Sequence, residues 1–423
     1  MEIPMEGLPK IFKIRQKIDA PRLGDVEKRV NDLLDSFGLA GKVKKGERIG
    51  ITAGSRGIRD KPLVLRILVS RLKDLGASPF VVPCMGSHGG GTAEGQLEML
   101  ESLGITEQSV GAPILSSTEV QEIGRTKFGT PVYVDRNLCG ADRIIVVNRI
   151  KPHTDFKGEI ESGLIKMMVI GMGKPKGALM AHRLTIRNGF PAVLAEIGPI
   201  ILSKLPIFFG IGIIENQYDE TAMIELLRPE EFMEREKVLL KKAKELLPRL
   251  PFEQIDILIV DEMGKNVSGA GMDTNVIGRN FFIGSAPFER PKITRIFVRD
   301  LTEESHGNAT GIGMAEYTTK RLVQKIDYPS TYLNAITGMI PDNGRIPIAF
   351  DQDREALAVA HYNSGVLDPQ ALRIVWIKNT LHLEYLCASA AFLDEVRSNP
   401  TLEILGDPFD FPFDPEGNLI SPW

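Results

Sequence analysis

The chain has 423 residues, 43% hydrophobic and 25% charged, the balance of an ordinary globular protein long enough for two domains. Lys and Arg number 51 against 55 Asp and Glu, a net charge of −4, so no basic field exists to draw in nucleic acid or an anionic membrane. Three cysteines, Cys84, Cys139 and Cys387, stand far apart without CxxC spacing, which disfavours a disulfide framework or a cysteine zinc knuckle and makes a reducing cytoplasm the expected setting.

The opening MEIPMEGLPKIFKIRQ lacks the basic-then-apolar build of a signal peptide, and no apolar run is long enough to span a bilayer. RIGITA, at 48–53, predicts a strand. Leu63, Leu65, Ile67, Leu68, Leu72 and Leu75 then recur near helical periodicity over 61–75, with Gly76 placed to end the helix. PFVVPC, at 79–84, is the next strand, so 48–84 reads as a parallel βαβ unit. The loops after its strands are AGSRGIRD and MGSHGGGT. In open α/β sheets ligands bind at that edge, which makes Arg56 and His88 candidates to face one cleft.

A helix is expected over 93–103, then a variable stretch, then a strand at 143–148 that runs into KPHTDF and puts His153 at the same kind of edge. Lys166 opens an apolar segment closed by Gly171 and Gly173. The stretch 190–214 reads as a buried helix followed by a core strand, and 230–247 as an amphipathic helix. LPRLP, at 247–251, has the character of a linker. The pattern restarts with strands at 255–260, 293–298 and 373–377 and helices around 315–325 and 354–361. The expectation is an α/β protein of two domains with mainly parallel sheets, 1–250 and 251–423, the last residues being able to pack back on the first.

Of six histidines, His88, His153 and His182 fall in segments dominated by Gly, Ser and Lys, the composition of turns that face a ligand. His88 follows a strand and precedes a helix that Thr92 can cap, with Gly86, Gly89, Gly90 and Gly91 around it. The residues leave two readings open, an anion site at a helix N-terminus and a plain glycine-rich turn. Lys166 lies between Gly163-Leu164-Ile165 and Met167-Met168-Val169-Ile170, apolar flanks that lower an ammonium pKa and favour a nucleophilic amine. The other reading is a lysine snorkelling at a helix edge. Lys151, Lys157 and Lys174 read as solvent-facing or phosphate-contacting. The three histidines with Asp155 or Glu161 are numerous enough for a zinc site, and a zinc-dependent hydrolase is the alternative, although HExxH spacing is absent. In the second domain Lys265 and Arg279 belong to a glycine-rich polar loop after a strand, where Arg279 has the donors to clamp a carboxylate, and His306 lies in another such loop.

An Arg-bearing loop after the first strand, a Gly-Ser-His loop after the second, a Pro-His segment, a lysine and a histidine sixteen residues on follow one another here in an order and spacing that resemble the nickel-pincer lactate racemase family. The resemblance spans most of the chain. It implies two α/β domains with the active site in the cleft between them, and a nickel-pincer nucleotide, a pyridinium mononucleotide carrying thioacid groups that hold nickel, supplied by cofactor maturation proteins. It further implies that Lys166 tethers the cofactor, that His182 is the protein ligand to nickel, and that Ser55, Gly86 and Ser87 line the cofactor. His88 and His153 become the catalytic acid/bases and Arg56, Lys265 and Arg279 the substrate contacts. The implied activity is racemisation or epimerisation at C2 of a 2-hydroxy acid by hydride transfer to the cofactor.

The chain also departs from the family. Gly89, Gly90 and Gly91 follow His88 where Arg-Pro is common, Ser55-Arg56-Gly57 replaces Thr-Arg-Pro, and Gly278 and Arg279 stand near positions usually held by Gln and Lys. These departures point to a 2-hydroxy acid larger or more polar than lactate, such as a sugar acid or a dicarboxylate.

Overall fold

The computed structural model describes residues 7–283, 285 and 287–423. Contacts divide the chain into two compact units, Ala20–Leu247 and a second made of Met1–Asp19 with Pro248–Trp423. The division at Leu247 falls inside the linker-like LPRLP. The first strand, β1 (Ile11–Gln16), departs from the expected domain assignment, because it belongs with the C-terminal residues. Its chemistry explains this. Ile11, Phe12 and Ile14 are buried, and β1 pairs antiparallel on both edges.

Unit Ala20–Leu247 is built on β2 (Arg48–Ala53), β3 (Ser78–Pro83), a hairpin of β4 (Val120–Arg125) and β5 (Pro131–Asp135), then β6 (Arg143–Arg149), β7 (Ile207–Glu215) and β8 (Thr221–Leu227). Five of these form one sheet in the order β3-β2-β6-β7-β8, parallel except for β8. The crossover from β2 to β3 is the helix Lys61–Asp74, which buries Val64, Leu65, Leu68 and Leu72 on the sheet. Gly76 ends it as expected, at φ +80 with its N–H donated to Lys73. The next sheet strand, β6, lies on the other side of β2. The loops after β2 and β6 therefore part at a switch point, the place where open α/β sheets form ligand crevices. The variable stretch before β6 holds the hairpin, which the short polar alternation of VQEIGR concealed. The stretch 190–214 is a helix, Phe190–Lys204, followed by the buried β7.

The second unit carries β9 (Gln254–Met263), β10 (Lys292–Leu301), β11 (Tyr317–Thr319), β12 (Ile348–Phe350), β13 (Ile374–Ile377), β14 (Tyr385–Ser389) and β15 (Leu402–Phe409). With β1 they form an eight-stranded sheet, β12-β11-β10-β9-β13-β14-β1-β15, parallel from β12 to β13 and antiparallel beyond. Both faces are covered: Leu258, Val260, Ile296 and Val298 enter one core and Ile257, Ile259 and Phe297 the other. The helix expected over 315–325 is instead β11 followed by the short helix Lys320–Gln324, because Tyr317, Thr318 and Thr319 pair with β10 and β12. Among the described residues no helix is long and apolar enough to cross a membrane.

Candidate functional site

Within unit Ala20–Leu247, β2 ends at Ala53 and the chain turns through Gly54, Ser55 and Arg56. After β3 it turns through Met85–Gly91, where Gly86, Gly89, Gly90 and Gly91 all have positive φ. The Ser55 hydroxyl lies 2.5 Å from His88 Nδ1, joining the two loops. Thr92 caps the following helix, Ala93–Ser102, by accepting from the Gly95 N–H at 3.0 Å. Gly86 does more packing than cradling, since a Cβ there would press on Ala178 and Ile170. Ser87 and His88 are exposed.

After β6 the chain forms a loop closed by the Lys151–Ser162 bridge. Glu161, fully buried, organises it: its carboxylate accepts from the His153 N–H at 2.7 Å and the Gly158 N–H at 3.2 Å, and pairs with Lys244 at 2.7 Å. The His153 ring stacks on Phe156 with centroids 4.4 Å apart, and Phe156 stacks on Phe190 at 4.2 Å. His182 meets Phe190 edge-on at 5.3 Å. The sixteen-residue separation of Lys166 and His182 is bridged as the sequence requires, by a fold-back. Lys166 ends a short turn, Leu164–Lys166, and the π-helical turn Met167–Gly171 follows. The chain then reverses into the helix Lys174–Asn188, which carries His182. Such π-turns recur at functional sites because the extra residue re-aims the side chains beside it.

The protonation states follow from the bonds. His153 Nδ1 accepts the Asp155 N–H at 3.0 Å, so in the neutral ring the hydrogen sits on Nε2. That nitrogen lies against Lys166 Nζ. Two donors cannot share the contact, so Lys166 meets it as a neutral amine. Burial lowers Lys166 to about 8, Asp155 opposing and Arg56 reinforcing the shift. Burial, with the Lys166 charge next, holds His153 well below its ordinary value and His182 at about 4. His182 Nδ1 is buried with no hydrogen-bond partner among the described residues. A neutral imidazole with an orphaned nitrogen has the form a metal ligand needs. Among the described residues no three His, Cys, Asp or Glu side chains converge on a metal position, which leaves the zinc alternative without its ligand cage.

Residues 2–190 match the family model described as the lactate racemase N-terminal domain. The chain carries a lactate racemase domain. Ser55, Arg56, His88, His153, Lys166 and His182 all lie inside the match. Among solved structures, the chain is similar to that of the lactate racemase apoprotein from Thermoanaerobacterium thermosaccharolyticum, at 14% identity and a TM-score of 0.49 over 87% of this chain and 88% of that one. No curated protein matches the chain.

Several residues that hold this racemase-type cluster escaped the sequence. Glu236, on the helix Phe232–Glu245, is fully buried and accepts from the Leu164 and Ile165 N–H groups at 2.8 and 3.1 Å, fixing the turn that ends in Lys166. Lys174, expected at the surface, is fully buried. Its Nζ donates to Pro83 O at 2.6 Å and Gln96 Oε1 at 3.0 Å and lies 3.4 Å from Asp135. Gln96 in turn donates to Gly86 O at 2.9 Å and His88 O at 3.4 Å, tying the His88 loop to the start of the His182 helix. Periodicity cannot reveal such partners, because they act across 72 to 91 residues of sequence.

The second unit treats its two expected contacts differently. Lys265 Nζ donates to Gly269 O at 2.5 Å and Asn334 Oδ1 at 2.6 Å. Arg279 donates to Met314 O, Ile293 O and Glu316 at 2.6–2.8 Å. Those acceptors fill its fork, so the carboxylate clamp expected of Arg279 is replaced by an anchor for its own loop. His306 is exposed, with φ +46.

Proposed function

We propose that this protein is a racemase or epimerase that inverts C2 of a 2-hydroxy acid, using a nickel-pincer nucleotide tethered at Lys166. The proposed substrate is larger or more polar than lactate, a sugar acid or a dicarboxylate, and the setting is a cytoplasm that also holds the maturation proteins. The observation that carries the reading is the pair formed by Lys166 and His182: a lysine held as a neutral amine beside a neutral imidazole whose buried Nδ1 has no partner among the described residues. The residues fit the cofactor. A single unpaired imidazole suits a metal whose other donors come from the cofactor, since soft sulfur and imidazole both suit nickel. When bound, that group supplies the hydride acceptor.

The chain's own residues then do the proton work. Ser55 fixes His88 at Nδ1, which assigns proton exchange with the substrate hydroxyl to Nε2. An acylated Lys166 nitrogen is no longer an acceptor, so His153 Nε2 becomes available once the tether has formed. Two imidazoles serve the two enantiomers, each taking a hydroxyl proton and returning it. Arg56 matches a carboxylate bidentately.

The test is holo-protein made with the maturation proteins and screened against enantiopure 2-hydroxy acids, C2-epimeric sugar acids included, by chiral chromatography. Exchange at C2, lost by ~100-fold or more in His88→Ala and His153→Ala, is expected. Absence of any mass adduct on Lys166 in nickel-containing protein would overturn the tether.

A further inference from the structure

Lys61 is the first residue of the helix Lys61–Asp74 and is almost wholly buried. A cation there meets two penalties, loss of hydration and the positive end of the helix dipole. Among the described residues no carboxylate forms an ion pair with it, and burial together with Arg149 lowers it to about 7, Glu215 opposing. What it has instead are two carbonyl oxygens. Its Nζ donates to Gly54 O at 2.7 Å and Arg56 O at 2.8 Å. These carbonyls flank Ser55, whose hydroxyl meets His88. An apolar side chain would be cheaper to bury at this place, so the lysine is accounted for by what it holds.

We propose that Lys61 is a positioning residue: from beneath the β2 loop it fixes the peptides on both sides of Ser55, and so sets the Ser55 hydroxyl against His88 and aims Arg56. One buried side chain thereby couples the two loops that follow β2 and β3. The amine keeps two N–H groups even when deprotonated, which matches the two acceptors and makes the clamp independent of its own charge. The inference rests on the racemase reading for its catalytic meaning, while its geometry stands apart from it.

The experiment uses the full-length protein with 15N-labelled histidine, His88 assigned through His88→Gln. Wild-type His88 is expected to show one dominant tautomer, fixed at Nδ1 by Ser55. Lys61→Met should shift the His88 ring nitrogens toward a tautomer mixture and reproduce the Ser55→Ala spectrum, leaving His361 and His382 unmoved. Lys61→Gln, with amide donors on a shorter stem, gives the same reading should the methionine variant fail to fold. In holoenzyme, Lys61→Met should lower kcat by about 100-fold and raise KM, the scale expected of a misaimed site. Unchanged His88 signals, or wild-type kcat and KM, overturn the positioning role even if stability falls. A His88 shift in a protein that racemises nothing overturns the proposed function and leaves the positioning role standing.

Discussion

A lysine amine is an ordinary surface base until its surroundings remove the proton, and at Lys166 two independent features do so. Burial disfavours the ammonium, and the Asp155 N–H forces His153 to present a hydrogen to Nζ. With its value near 8, Lys166 is half neutral at pH 8, where a lysine at the ordinary 10.5 is neutral to roughly one part in three hundred. Apo-protein treated with a limiting amine-acylating reagent should therefore be modified at Lys166 well before the exposed lysines. The rate should climb with pH and level off above about 8. Peptide mass spectrometry resolves this site by site. A Lys166 rate still rising at pH 10, like its neighbours, would show that the amine is not activated. The sequence gave notice of this residue through its apolar flanks. Its partner contact was hidden, because which imidazole nitrogen faces the amine is decided by a backbone N–H two residues beyond His153.

At the scale of elements, the helix Phe232–Glu245 matters beyond its packing. Glu236 holds the turn before Lys166, and Lys244, about two turns further on, holds the His153 loop through Glu161. The amphipathic pattern over 230–247 made the helix legible, yet it read Glu236 and Lys244 as parts of a solvated face. Both face inward because the loops they brace have buried backbone donors to satisfy. The βαβ unit was legible for the complementary reason: its information is local, in the alternation of apolar residues and the glycine at the helix end. Strand β1 was not, since IFKIRQ becomes a strand only when β14 and β15 flank it.

Glu236 also gives this brace a pH dependence. Burial raises it to about 7 from an ordinary 4.5, against the opposing pull of the Ile165 and Leu164 N–H groups, and its Oε1 has no hydrogen-bond partner among the described residues. A carboxyl raised on folding binds its proton more tightly in the native state. Its contribution is therefore full below about pH 4.5 and is lost as the pH rises through about 7. The shift corresponds to about 3 kcal/mol at most. Glu236→Gln cannot ionise, so denaturant unfolding should find the two proteins alike at pH 5 and the variant the more stable at pH 8. Parallel stability curves for the two from pH 5 to pH 8 would remove Glu236 as the source.

For the molecule as a whole, the two units differ in how the chain builds them. Every residue of the Lys166 and His88 clusters lies in the continuous segment Ala20–Leu247, whereas the other unit needs β1 from the start of the chain. Strand β1 pairs with β14 on one side and β15 on the other, so removing it leaves two unpaired edges facing a gap and three apolar side chains, Ile11, Phe12 and Ile14, without their place in the core. Burying such side chains is worth about 1.5–3 kcal/mol each, a sum comparable to the ~5–15 kcal/mol that stabilises a typical domain. A chain starting at residue 20 should therefore lose the cooperative unfolding of the second unit and expose edges prone to aggregation. The segment 20–247 expressed alone should still unfold in one denaturant transition and keep the fast acylation of Lys166. Hydrogen exchange on the truncated chain separates the outcomes, with protection expected in β2, β6 and β7 and lost in β14 and β15. Retained protection at β14 would mean that the second sheet closes without its N-terminal strand.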